Sequence, residues 1–176
     1  VQTQGRQLCA SLNYDLHVGK IAEEHTMSIK AALGAGLVWL AVAGGGALAA
    51  PGEKDAVALA EKGAQFVKLH GKEAMIARIN AKDPEFNQGA LYLAMRDLNG
   101  ITIAHPTTAL IGKNLLDVPD ADGKPFRQEM LAVAKGWGKG WVDYKFRNPE
   151  SGKVEAKSTY VLRVGDVALE AGIYKH

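Results

Sequence analysis

The sequence predicts an α+β domain: a five-stranded antiparallel sheet with a long N-terminal helix on one face and short helices covering the other. Three observations predict it. A helical apolar period runs through residues 53–80. Asn99-Gly100 sits between two strand-like runs, a strong two-residue hairpin signal. Three more strand-like runs follow near the C-terminal end, joined by short turns, which favours an antiparallel meander.

Within 53–80, Val57, Ala60, Ala64, Val67 and Met75-Ile76 recur near helical spacing, with Lys and Glu between them. Gly63 and Gly71 weaken the helix or mark a kink, and Asp83-Pro84 ends it. Residues 91–97 read as the first strand and 101–105 as its return, stopped by Pro106. Residues 107–117 and 125–135 read as short helical or irregular pieces around the turn Asp120-Ala121-Asp122-Gly123. The third strand is 137–146 and the fourth 154–164, separated by the loop Asn148-Pro149-Glu150-Ser151-Gly152; Gly165-Asp166 turns into the fifth, 167–174. Such layers leave a natural hollow between the sheet and the short helices.

Ahead of this domain lies an export signal. Met27-Ser28-Ile29-Lys30 supplies a positive start, residues 31–43 are an apolar run, and Ala47-Leu48-Ala49 is a small-x-small cleavage site, placing the cut before Ala50. The competing reading is a retained membrane anchor, since residues 31–51 are uncharged over nearly a bilayer's thickness; the Ala/Gly richness and the following Pro51-Gly52 argue for cleavage. Residues 1–26 precede a complete signal and read as an upstream extension that is not part of the native product. The domains are therefore 1–26, the signal 27–49 and the folded domain 50–176, with a periplasmic or secreted destination. Membrane contact is expected only through an uncleaved signal.

Composition narrows the function. The chain has 176 residues, 47% hydrophobic and 23% charged, with a net charge of +2, too small to argue for nucleic acid. Its one cysteine, Cys9, lies upstream of the cut, so the exported domain is expected to hold no disulfide, Cys-ligated zinc or thiol nucleophile. Asp120-x-Asp122-Gly123 with Glu129 imitates part of a calcium loop, but Val118 stands where the first carboxylate must be; a tight Asp-Gly turn explains it. Gly136-Trp137-Gly138-Lys139-Gly140 lacks the spacing of a phosphate loop. No nucleophile–base pair and no zinc spacing are present, so neither catalysis nor a metal or other cofactor is expected.

Eight short segments, in order and at compatible spacing, carry a resemblance. They are Leu91-Tyr92 leading into Asp97-Leu98-Asn99-Gly100; Ala104-His105-Pro106; Ile111-Gly112-Lys113-Asn114; Asp120-Ala121-Asp122-Gly123-Lys124; Gly140-Trp141-Val142-Asp143-Tyr144; Asn148-Pro149; Lys157-Ser158-Thr159-Tyr160-Val161; and Ala171-Gly172-Ile173-Tyr174. From about residue 56 to 174 the chain resembles the single Cache family of extracellular sensor domains, relatives of PAS domains. The resemblance implies a PAS-like sheet behind a long helix and reversible binding of small ligands, often short organic acids. Cache domains usually sit between two membrane spans ahead of an output module. This sequence shows neither after residue 174, so the expectation is a free-standing exported domain acting through a separate membrane sensor or transporter component.

A small carboxylate needs a positive charge and a few donors against apolar walls. Lys157 lies mid-strand, where a lysine is unusual if both faces are covered. By the resemblance, His105, Tyr144, Lys157 and Tyr160 are the leading ligand-binding candidates, followed by Tyr92 and Trp141. Alternation limits the set: Trp141 and Tyr144 fall on opposite faces of their strand, and Lys157 and Tyr160 do too unless a bulge intervenes. The plainer alternatives are core packing for Trp137, Trp141 and Tyr160, a backbone cap for His105, and a solvated edge-strand lysine for Lys157. The function expected is small-molecule sensing, most naturally of a short organic acid; the alternative is a ligand-free structural or adaptor module of the cell envelope.

Overall fold

The structure is a computed structural model that describes residues 50–175. The upstream extension with Cys9, the signal segment and its cleavage site, and His176 lie outside the described residues. Among the described residues no helix is long and apolar enough to cross a membrane.

The helical period of residues 53–80 folds as two helices, α1 (Glu53–His70) and α2 (Lys72–Asn80). Gly71 separates them because it takes φ +86, a conformation open to glycine and costly to other residues. Acidic Glu53 and Asp55 stand at the start of α1 and basic Lys68 and His70 at its end, matching the helix dipole. The buried stripe of α1 is Ala56, Leu59, Ala60, Gly63 and Ala64. Its small residues bring the helix close to the sheet, closest at Gly63, where an added Cβ would lie 2.5 Å from Leu93 Cδ2. Leu93 is fully buried and has nowhere to retreat. Gly63→Ala is therefore expected to destabilise the fold by about 1 kcal/mol, overpacking outweighing the gain in helix propensity; urea unfolding measures it.

Six strands form one antiparallel sheet: β1 (Asn87–Gln88), β2 (Leu91–Asp97), β3 (Thr102–Ala104), β4 (Lys139–Arg147), β5 (Val154–Val164) and β6 (Val167–Tyr174). The order is β1-β2-β6-β5-β4, with β3 also pairing β2, so the first long strand lies beside the last. The C-terminal meander β4-β5-β6 pairs without a register break. Three sequence expectations need correction. A sixth strand exists, the two-residue β1. The return strand is only Thr102–Ala104, leaving His105 just beyond it. Residues 107–117 are, as expected, irregular around one short helical piece, the 3-10 turn Thr108–Leu110. Trp137 is not on a strand: β4 begins at Lys139, and Trp137 sits 91% exposed in a turn closed by Gly138 at φ +76.

Two apolar layers flank the sheet. On one face Leu91, Leu93, Met95, Tyr160, Leu169, Ala171 and Ile173 pack against α1 and α2. On the other, α3 (Phe126–Lys135) lays Phe126, Met130 and Ala134 on Val142, Val161 and Ala168. The second core is smaller, with Tyr144 and Phe146 partly buried against it at the Lys157 end of the sheet. There polar side chains fill the space between sheet, α3 and the 106–125 connection.

Candidate functional site

A cavity of about 30 Å³ lies in that polar layer. One water needs roughly 10–15 Å³, so two or three water-sized groups fit. Its walls come from β2 (Tyr92, Arg96), β4 (Tyr144, Phe146), β5 (Lys157, Thr159), β6 (Glu170, Gly172), α3 (Phe126, Arg127) and the connection after β3 (His105, Leu110).

The pleat explains the selection. Lys157 pairs with Tyr144 on β4 and Tyr174 on β6, Thr159 with Gly172, and Gly172 with Tyr92. Partners across a ladder point to the same face, so alternate residues of four adjacent strands converge on one side. With no bulge in β5, Tyr160 points the opposite way. It is buried among residues packed on α1, and Trp141 lies beside it with ring centroids 5.3 Å apart. Of the six sequence candidates the fold brings His105, Tyr144, Lys157 and Tyr92 together at the cavity. Tyr160 and Trp141 belong to the α1 face and do not reach it.

Lys157 is only 2% exposed, on an interior strand rather than an edge. Its Nζ donates to Tyr92 Oη at 2.9 Å and Tyr174 Oη at 3.3 Å, and lies 4.0 Å from the Tyr92 ring centroid and 4.5 Å from that of Tyr174. These neutral partners do not replace water fully. Burial pulls the Lys157 pKa down to about 7, against the opposing pull of the Glu170 charge. Tyr174 in turn donates to the Arg147 carbonyl at 2.9 Å. Burial raises all three tyrosines of the site, Tyr174 to about 12 and Tyr92 and Tyr144 strongly upward.

His105 is positioned by its own backbone. Its N–H donates to Asn80 Oδ1 at 3.1 Å, and its Nδ1 accepts from the Thr107 N–H at 2.8 Å. A ring that accepts at Nδ1 carries its proton on Nε2, which makes it a donor elsewhere. Burial first, and the Lys157 charge second, lower its pKa to about 4, so the ring is neutral near pH 7. Tyr144 hydrogen-bonds Thr159 Oγ1 at 3.0 Å and stacks on Phe126 with centroids 4.1 Å apart.

Three charged residues at the cavity were not singled out in the sequence. Arg96 and Glu170 form a buried bidentate pair, Nε to Oε1 at 2.8 Å and Nη2 to Oε2 at 3.2 Å. Burial works against the Arg96 charge, yet the Glu170 carboxylate more than offsets it and the net shift is upward. Arg127, 7% exposed, donates to the Val118 carbonyl at 2.8 Å and lies over the Phe126 ring at 4.2 Å. Burial and then the Arg96 charge lower its pKa; a guanidinium stays protonated regardless. The mid-strand-charge argument applied to Lys157 would have found Arg96 and Glu170. Arg127 stands beside the apolar stripe of α3, where sequence alone gives a helical arginine no distinctive mark.

Among the described residues, then, Arg96 has its carboxylate, while the ammonium of Lys157 and the guanidinium of Arg127 have no carboxylate within ion-pair distance. No cluster of metal-binding side chains occurs among the described residues.

Comparison with known proteins agrees with this architecture. The periplasmic sensor domain of a chemotaxis protein superposes with a TM-score of 0.55 at 24% identity, covering 70% of this chain and 90% of that one. A methyl-accepting chemotaxis protein from Vibrio parahaemolyticus RIMD 2210633 gives 0.59 at 23% identity, over 69% and 86%. A Cache chemosensory domain gives 0.56 at 22%, over 70% and 88%. In sequence, the chain is 35% identical over 72 residues to the sensor histidine kinase MctS of Rhizobium johnstonii, 40% of this chain and 15% of the kinase. The profile of the family described as Single Cache domain 2 matches residues 56–168. With a matching profile across most of the folded domain and the sheet order to go with it, the chain belongs to the single Cache domain family, a family of ligand-sensing domains.

Proposed function

We propose that this domain senses a short organic acid outside the cytoplasm, binding its carboxylate between Lys157 and Arg127, and that it signals through a separate membrane component. One observation carries the reading: two buried cations line the same cavity without a carboxylate of their own. An unpaired buried charge costs several kcal/mol, and an anion held by charge-assisted hydrogen bonds offsets that cost. The neutral His105, with its proton on Nε2, and the hydroxyls of Tyr92 and Tyr144 add donors. The cavity volume limits the ligand to a few heavy atoms. One structural neighbour, a Cache chemosensory domain described as recognising carboxylic acids, supports the same ligand class. A membrane sensor as partner is supported by the chemotaxis proteins and the histidine kinase among the relatives, and export by the signal-type sequence of residues 27–49.

A thermal-shift panel of short carboxylates, amino acids and uncharged analogues of the same size tests the ligand class. At one hundred times its Kd a ligand adds about 2.7 kcal/mol to stability, several degrees in Tm for a domain of this size. Short monocarboxylates should stabilise and their amides should not. A flat response across the panel would overturn the reading and favour the envelope adaptor.

A further inference from the structure

We propose that Gly172 is a positioning residue of this binding site: its missing Cβ leaves the track along which the Lys157 side chain crosses β6 to reach the cavity. Lys157 starts on β5 opposite Tyr174, yet its Nζ ends at the hydroxyl of Tyr92, which stands on β2, on the far side of β6. To get there the side chain runs diagonally over the sheet and passes above Gly172, the residue paired with Thr159 on one side and Tyr92 on the other. A Cβ built on Gly172 would lie 2.3 Å from Thr159 Oγ1, 2.5 Å from Lys157 Cε and 3.3 Å from the Ser158 carbonyl oxygen. Real Cβ atoms do not approach a methylene so closely, so the end of the lysine side chain would have to shift off its present path.

The glycine is not there for its backbone. Gly172 is absent from the residues with positive φ, and it pairs in regular register inside a central strand, where glycine weakens a sheet. Its cost to the strand is offset by space, and the space is filled by the Lys157 methylenes and the Thr159 hydroxyl. The same substitution would push on Thr159 Oγ1, the partner of the Tyr144 hydroxyl, so a second wall of the cavity depends on the same absent methyl group.

The consequence for affinity rests on the proposed carboxylate reading; the consequence for Lys157 does not. The experiment therefore reads both. The 13Cε resonance of Lys157 is followed through a pH titration in the ligand-free wild type and in Gly172→Ala, and acetate and propionate binding is measured on the same two proteins. In the wild type the lysine is expected to titrate near pH 7, the value to which burial lowers it. In Gly172→Ala its midpoint should rise by at least one pH unit toward the ordinary lysine value, and carboxylate affinity should fall at least tenfold. An unchanged Lys157 titration in folded Gly172→Ala overturns the proposal. A displaced titration in a protein whose wild type binds neither acid upholds the positioning role and counts against the carboxylate reading alone.

Should Gly172→Ala fail to fold, the comparison moves to the Lys157→Ala background. If the conflict is with the lysine, Gly172→Ala/Lys157→Ala folds with a Tm close to that of Lys157→Ala. Equal loss of folding in both backgrounds would show that the sheet itself, or Thr159, needs the glycine, and the proposal would fall.

Discussion

Lys157→Ala is expected to weaken carboxylate binding about 10- to 100-fold, the loss of roughly 1.5–3 kcal/mol carried by a charge-assisted hydrogen bond. The same position should behave differently in the ligand-free protein. There the lysine is buried against two tyrosine hydroxyls and their rings, with no ion pair, and its lowered pKa shows that burial resists its charge. Lys157→Met keeps most of the packing volume over Gly172 and removes the amine. Replacing a buried charged group by a well-packed apolar one is commonly neutral or stabilising. Lys157→Met is therefore expected to be at least as stable as the wild type in urea while losing the ligand. A stable, non-binding Lys157→Met separates function from fold as no alanine variant can. Calorimetric titration against each acid that binds the wild type reads the first effect and urea unfolding the second. Unchanged affinity for all of those acids would remove Lys157 from the site.

How much of this could be read from the chain depends on the kind of signal. Period and turn chemistry carried the layers: the α1 stripe and the β4-β5-β6 meander express local preferences that tertiary packing did not override, while Asn99-Gly100 does turn the chain from β2 to β3 but in a longer turn than two residues, closed by the Asp97 N–H on the Ile101 carbonyl. The errors lie where one residue decides. Gly71 reads as a kink and becomes a full break because it enters positive φ. Trp137 reads as strand or core because aromatics usually bury, yet the turn closed by Gly138 leaves it in solvent. Strand alternation already warned that Lys157 and Tyr160 should part company, and the unbroken β5 register places Tyr160 on the α1 face. Trp141 followed by the same parity. What no local pattern contains is the partner across the sheet: Arg96 finding Glu170, 74 residues away, or Lys157 reaching Tyr92 across β6. Those contacts follow only from β6 lying between β2 and β5.

Carboxylate affinity is expected to be flat from about pH 6 to 7, where the acid is ionised, and to fall about tenfold per pH unit above that. The sign follows from which form the ligand needs. An anion in the cavity favours the ammonium form of Lys157, so the bound state holds a proton that the free protein has released once pH exceeds about 7. Binding above that pH therefore takes up a proton, and affinity drops until the raised pKa of the complex is reached. The ligand-free fold responds in the opposite direction. Between about pH 7 and the ordinary lysine value of 10.5 the unfolded chain carries a proton on Lys157 that the native state lacks, so this group makes stability rise with pH across that window. Below pH 7 both states are protonated and the contribution is constant. The other groups facing Lys157 do not imitate this profile. His105 on the connection after β3 has its pKa lowered to about 4 and is already neutral at pH 6. Tyr92 on β2, Tyr144 on β4 and Tyr174 on β6 are all pushed upward by burial, away from neutrality. Arg96 is locked to Glu170, and Arg127 on α3 keeps its charge. Calorimetry at pH 6, 7, 8 and 9 in two buffers of different ionisation enthalpy measures affinity and proton uptake together. Wild-type affinity that stays level to pH 9, or a Lys157→Ala variant that keeps the slope, would mean that the titrating group is not this lysine.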